Sequence, residues 1–218
     1  MKATCATVRR ARPLLGTLVQ IRARGREAGA AIDRAFCAVE RVHRAMSRQE
    51  STSDIARLRS GRRVGLDPWT RRVLERAEEL RLATEGLFDC AICGYSLDGI
   101  AKGFAVDRAV DCLREAGVTS GVVNAGGDLR VFGDDWQPLH IRSGGRLIYI
   151  GEIRDAAVAT SASTGLVGPR GWQASAAGVT VMAADCMTAD ALTKPCLLDP
   201  ERADATAEWL GGRVLRLE

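Results

Sequence analysis

The stretch Ser96–Gly133, SLDGIAKGFAVDRAVDCLREAGVTSGVVNAGGDLRVFG, decides how the rest of the chain is read. Its first part, Gly99-Ile100-Ala101-Lys102-Gly103, is a small-residue turn through which backbone can come close to a ligand while Lys102 supplies a cation. Phe104, Val106, Ala109, Val110 and Leu113 then recur at helical spacing. Asp107, Arg108, Asp111 and Arg114 fill the opposite face, and Gly117 stands where a left-handed cap would end the helix. Two short strands, Gly121-Val122-Val123 and Leu129-Arg130-Val131-Phe132, flank a second glycine turn, Asn124-Ala125-Gly126-Gly127-Asp128. That turn offers bare amides, one amide side chain and one carboxylate at a strand end. Two glycine turns around one helix, with a lysine and an aspartate at hand, point to a nucleotide site.

Outward from this stretch the chain alternates long helices with short strands. Thr17 to Ala23 has strand alternation, and Glu27 to Ala45 carries Ile32, Ala35, Phe36, Val39 and Val42 on one helical face. His43 lies beside that face and reads as an ordinary helix residue, since no acid or nucleophile is fixed next to it in sequence. The polar run Ser47 to Asp54 is a loop, with Ser51 to Ser53 offering an N-cap for a short helix over Asp54 to Arg59. Asp67-Pro68 is a cap followed by a first-turn proline, and Trp69, Val73, Ala77, Leu80 and Ala83 continue a stripe to Gly86. Strands are expected at Leu147 to Ile153, Ala157 to Thr160 and Val179 to Ala183. A short helix over Met187 to Lys194 is expected to stop at Pro195, with another over Pro200 to Leu210 and a closing strand at Arg213 to Leu217. This mixture predicts an α+β fold.

A chain of 218 residues, 46% hydrophobic and 27% charged, buries a substantial core in one compact unit or two small lobes. The net charge of +4 comes from arginines spread along the chain, as at Arg9-Arg10, Arg12 and Arg62-Arg63, with no interleaved aromatics. That pattern favours a solvated face or an anionic small ligand over nucleic acid. The cysteines, Cys5, Cys37, Cys90, Cys93, Cys112, Cys186 and Cys196, are odd in number and several sit where a small buried hydrophobe belongs. Cys90-Ala91-Ile92-Cys93 has CxxC form without a second CxxC or a histidine pair, which argues against zinc, and the thiols are read as inert or incidental, with a redox pair as the alternative. Met1 to Val8 holds one lysine and no apolar run of signal-peptide length, and no uninterrupted apolar run approaches membrane-spanning length. The expectation is a cytoplasmic protein with no membrane insertion.

GIAKGFAVD followed by VNAGGD resembles the ApbE family, the FAD:protein FMN transferases. Further matches lie at Met46-Ser47 with Ser53-Asp54-Ile55, at Thr84-Glu85-Gly86-Leu87-Phe88-Asp89, at Val158-Ala159-Thr160-Ser161 and at Ala189-Asp190-Ala191-Leu192-Thr193. They run in family order along most of the chain. The resemblance sharpens the fold to an ApbE-like arrangement, a duplicated T-fold-like antiparallel sheet with packed helices, in a single domain over residues 1–218 or in two lobes. It implies Mg-dependent transfer of FMN from FAD to a threonine or serine of a target flavoprotein. FAD pyrophosphatase activity, giving FMN and AMP, and non-catalytic flavin binding remain the alternatives.

The resemblance also assigns residues. Met46, Ser47, Phe88, Asp89, Asp98, Gly99, Lys102, Asn124, Gly126, Gly127, Asp128 and Ser161 are expected to contact the flavin nucleotide. Asp190 and Lys102 are the expected catalytic groups. Magnesium takes oxygen ligands, and Asp190, Thr193 and the carbonyl of Gly99 are the candidates. The chain departs from its relatives at Ser96, where they carry an aspartate opening the glycine turn. It departs again at Thr193-Lys194, where they carry aspartate or alanine and then threonine. Between Ser161 and Val179 the histidine-bearing stretch of the family is replaced by Gly168-Pro169-Arg170-Gly171-Trp172. Lys194 either brings an ammonium to the place of the metal or points to solvent.

Overall fold

A computed structural model describes residues 6–92, 94–143, 146–162 and 178–216. The Gly168–Trp172 segment, Cys93 and Leu217 lie outside the described residues. Among the described residues, seven strands form one sheet in the spatial order β1 (Thr7–Leu14), β2 (Thr17–Arg24), β3 (Ser120–Ala125), β4 (Asp128–Phe132), β7 (Ala157–Ala162), β8 (Gly178–Ala183) and β9 (Gly212–Leu215). Every neighbouring pair is antiparallel. A separate hairpin joins β5 (Gln137–Ser143) to β6 (Arg146–Ile153). The sequence reading left out β1. Its arginines mask the alternation, and two of them cross to α1 (Ala28–Met46), Arg10 to Asp33 and Arg12 to Asp33 and Glu40.

The helices are α1, α2 (Asp54–Arg59), α3 (Pro68–Ala83), α4 (Ala101–Glu115), α5 (Cys186–Leu198) and α6 (Ala203–Trp209). The expected stripe of α1 is buried at Ile32, Ala35, Phe36, Val39 and Val42, and it packs on α4. Ser53 caps α2 by accepting from Ala56 N, and Asp67 caps α3 by accepting from Trp69 N. Gly117 ends α4 at φ +73°, as its left-handed cap requires. The core that joins these elements includes Ile21, Phe36, Phe104, Leu113, Val123 and Leu192, all fully or almost fully buried.

Two expectations are corrected here. Helix α5 does not stop at Pro195 but runs through it to Leu198. The missing N–H and ring clash of an interior proline cost about 3 kcal/mol. Burial of Leu197 and Leu198 beyond the proline, at about 1.5–3 kcal/mol each, offsets that cost. Asp107, placed on the polar face of α4 by its spacing, is buried instead. Its carboxylate accepts from the backbone N–H groups of Cys186 and Met187, at 2.9 and 2.8 Å, and from Arg130 at 2.7 Å. It therefore tethers the first turn of α5 to α4 and β4. Burial pushes its pKa up, against the pull of these donors.

Candidate functional site

The first glycine turn leads directly into α4, and the second joins β3 to β4. Gly103 lies in the first turn of α4, and a Cβ there would stand 2.2 Å from the carbonyl oxygen of Cys186. Glycine is required at this point for α4 to meet α5. Gly126 and Gly127 form the two-residue β3–β4 turn with φ +67° and +108°, values that glycine alone adopts without strain. The amide of Gly127 is not bare: it donates to Asn124 Oδ1 at 2.9 Å, so Asn124 braces the turn from within.

The meeting of α4, α5, β4 and β7 gathers a polar centre. Lys102 Nζ lies 2.6 Å from Asp128 Oδ2. Asp190, only 1% exposed, accepts from the amide of Gly103 through Oδ2 at 3.0 Å and from Lys194 Nζ through Oδ1 at 2.5 Å. It is thus no helix-surface carboxylate. Lys194 points inward, and its Nζ also donates to the carbonyl of Asp190 at 2.9 Å, to Thr193 Oγ1 at 2.9 Å and to Ser161 Oγ at 3.2 Å. The hydroxyls of Ser161 and Thr193 are 2.7 Å apart, and Thr193 donates to the carbonyl of Asp190 at 2.6 Å. Burial, reinforced by the charge of Asp190, pushes Asp128 up to about 6 against the pull of Lys102 and Lys194. Burial opposes the ammonium form of Lys102, but Asp128 and Asp190 outweigh it and hold its pKa above the ordinary value.

Beside this centre a cleft of about 520 Å³ opens between the β1–β2 turn, the end of α1 and the start of α4. Met46, Ser47, Asp98 and Lys102, four of the residues for which flavin contact is expected from the resemblance, line it together. Lys102 is shared between the cleft and the polar centre. Arg48 spans to Asp98 at 3.1 Å. Of its other polar lining residues, Arg48 and Gln49 belong to the Ser47–Asp54 loop, while His43 was not expected there. His43 Nδ1 accepts from the amide of Leu15 at 3.2 Å, which leaves the proton of the neutral ring on Nε2. Its position one helical turn before Met46 was the available signal.

Phe88 and Asp89 are not among the residues that line the cleft. Phe88 is buried in the core, its amide donating to Thr84 Oγ1 at 2.9 Å, while Thr84 donates to the carbonyl of Leu80 at 2.7 Å. The Thr84–Asp89 run is thus a helix stop. Asp89 accepts from Ala91 N and borders a second hollow with Leu58 and Tyr95. In that hollow burial pushes the Cys90 thiol up to about 12, consistent with an inert cysteine.

A model of the ApbE family matches residues 15–96 and 93–167. The chain belongs to the ApbE family. Among similar solved structures are the flavin transferase ApbE from Vibrio cholerae, 20% identical with 97% of each chain covered and a TM-score of 0.83. The ApbE protein of Thermotoga maritima is 20% identical over 96% of this chain and 94% of its own, with a TM-score of 0.87. The apo form of Pseudomonas stutzeri flavinyl transferase ApbE is 17% identical over 96% and 91%, with a TM-score of 0.78. At these identities the likeness concerns the fold, and it confirms the α+β expectation of an antiparallel sheet with packed helices. No curated protein matches the chain significantly. No helix among the described residues is long and apolar enough to cross a membrane.

The family resemblance assigned magnesium to Asp190, Thr193 and the Gly99 carbonyl. Oxygens of this kind suit magnesium, but here the Asp190 and Thr193 oxygens are turned to the ammonium of Lys194. The stem of Lys194 also fills the space over Gly99, where an added Cβ would stand 3.0 Å from Cε. Among the described residues no group of three or more histidine, cysteine or acidic side chains is placed to hold a metal. As built, this centre does not fit magnesium.

Proposed function

We propose that the chain transfers FMN from FAD to the hydroxyl of a threonine or serine on an acceptor flavoprotein. The observation that carries this reading is the cleft lined by Met46, Ser47, Asp98 and Lys102, opening beside the Lys102–Asp128 pair in a chain of the ApbE family. The same reaction class is printed in the names of the Vibrio and Pseudomonas proteins that share the fold.

In this reading the cleft holds the dinucleotide and Lys102 faces its diphosphate. The acceptor oxygen attacks the FMN phosphorus, the bond from that phosphorus to the bridging oxygen breaks, AMP leaves with the electron pair, and the hydroxyl proton passes to solvent. Charge grows on the departing phosphate, and a fixed ammonium next to it lowers the barrier because it needs no reorganisation. Asp128 keeps Lys102 charged and oriented, while Asp190 fixes the first turn of α4 through the Gly103 amide. Asn124, Gly126 and Gly127 shape the turn that delivers Asp128.

Incubation with FAD and a candidate acceptor tests the proposal. Flavin fluorescence on the acceptor band of a denaturing gel, with AMP in solution, supports it. Free FMN with AMP would show water in place of the hydroxyl, and unchanged FAD would reduce the chain to a flavin-binding protein.

A further inference from the structure

Four oxygens surround the Lys194 ammonium at 2.5 to 3.2 Å: the carboxylate and carbonyl of Asp190 and the hydroxyls of Thr193 and Ser161. A helical lysine ordinarily extends into water, where its compact ammonium is strongly hydrated. This one is only 17% exposed, and its partners Asp190 and Thr193 are buried almost completely. Its methylene stem runs against Gly99, so the head is delivered through a slot that a side chain at position 99 would narrow. An ammonium has three protons for four oxygens, which means that the cradle saturates it. The charge is also felt beyond the cradle, because Lys194 helps hold down the carboxyl of Asp128.

Such a set of hard oxygens around one positive charge is what a cation site looks like, with the cation supplied by the chain itself. We propose that the Lys194 ammonium is the resident cation of this centre, excludes divalent metal from it, and makes the flavin chemistry of this chain independent of added divalent cation. A divalent ion entering the same oxygens would have to displace the ammonium or stand a few ångströms from it, and either arrangement sets like charges together in a poorly hydrated place. Substitution of Lys194 by a neutral residue vacates the cradle and leaves Asp190 uncompensated, which invites a divalent ion in.

The activity clause rests on the transferase reading given above, but the binding clause does not, and the experiment separates them. Manganese binding is measured by electron paramagnetic resonance without flavin for wild type, Lys194→Thr and Lys194→Arg. The melting temperature is followed in parallel with magnesium and with chelator. Wild type and Lys194→Arg are expected to leave manganese free and to melt alike in both media. Lys194→Thr is expected to bind manganese more than about tenfold tighter and to gain thermal stability with magnesium. Manganese binding by wild type as tight as by Lys194→Thr would overturn the proposal, and so would binding by neither. If Lys194→Thr fails to fold, wild type decides: manganese uptake by wild type refutes the proposal. Transfer of FMN by wild type is expected to persist in chelator, and its loss there would refute the activity clause. A chain that binds no FAD under any condition would refute the transferase reading and leave the manganese result standing.

Discussion

The polar centre and the rim of the cleft carry similar residue types in opposite physical states. At the centre, Asp190 and Lys194 are shut into one another's company, with four oxygens engaged by the Lys194 ammonium. At the rim, Arg48 and Asp98 form an ion pair of ordinary length with their side chains 45% and 62% exposed. A buried pair has spent its desolvation and must keep both members, whereas an exposed pair is nearly free to part. The centre therefore couples folding to charge, while the rim is available for ligand recognition.

The largest effect that would break this contrast is expected from Asp190→Ala. It leaves the Lys194 ammonium without its carboxylate and the Gly103 amide without its acceptor, and should cost about 3–5 kcal/mol in denaturant unfolding. A loss below about 1 kcal/mol, the figure for a surface carboxylate, would show that the centre is not closed.

A smaller effect should come from Asp128, whose carboxyl is pushed up to about 6 by burial and by Asp190. Its folded value lies above the unfolded one, so the stability it contributes is complete below the ordinary carboxylate range and is lost as pH rises through about 6. Melting temperature followed from acid to neutral pH should decline through this window, and Asp128→Asn should flatten the decline. Lys102, held above its ordinary value, loses its contribution only at alkaline pH and leaves this window alone.

The least effect on stability should come from Arg48→Ala, within about 1 kcal/mol of wild type. If the rim recognises the dinucleotide, the same substitution weakens FAD binding several-fold in a fluorescence titration. Unchanged affinity would remove Arg48 from the site.

What could be read from the sequence was local. The α4 stripe, the β3–β4 turn and the Asp67-Pro68 start each depend on residues within a few positions of one another, and each stands where its spacing placed it. The centre depends on distant pairings that periodicity does not encode. Asp190 accepts from a residue 87 positions earlier, and Asp107 caps a helix 79 positions later. Periodicity set Asp107 on a polar face for that reason, and it gave no sign that α5 packs against Gly103. Asp190, Thr193 and Ser161 entered through family resemblance alone, and the structure brings all three together around Lys194, the residue at which the chain departs from its relatives. Pro195 misled because propensity was weighed without the burial that overrides it.

The central claim is that the cleft beside Lys102 delivers FMN from FAD to a protein hydroxyl. Intact mass of an acceptor flavoprotein, taken after incubation with FAD and either wild type or Lys102→Ala, tests it most directly. The account predicts that wild type adds FMN less one water to the acceptor with an equal amount of AMP released, and that Lys102→Ala adds little. An acceptor of unchanged mass with wild type, while FAD is bound in the cleft, would contradict it.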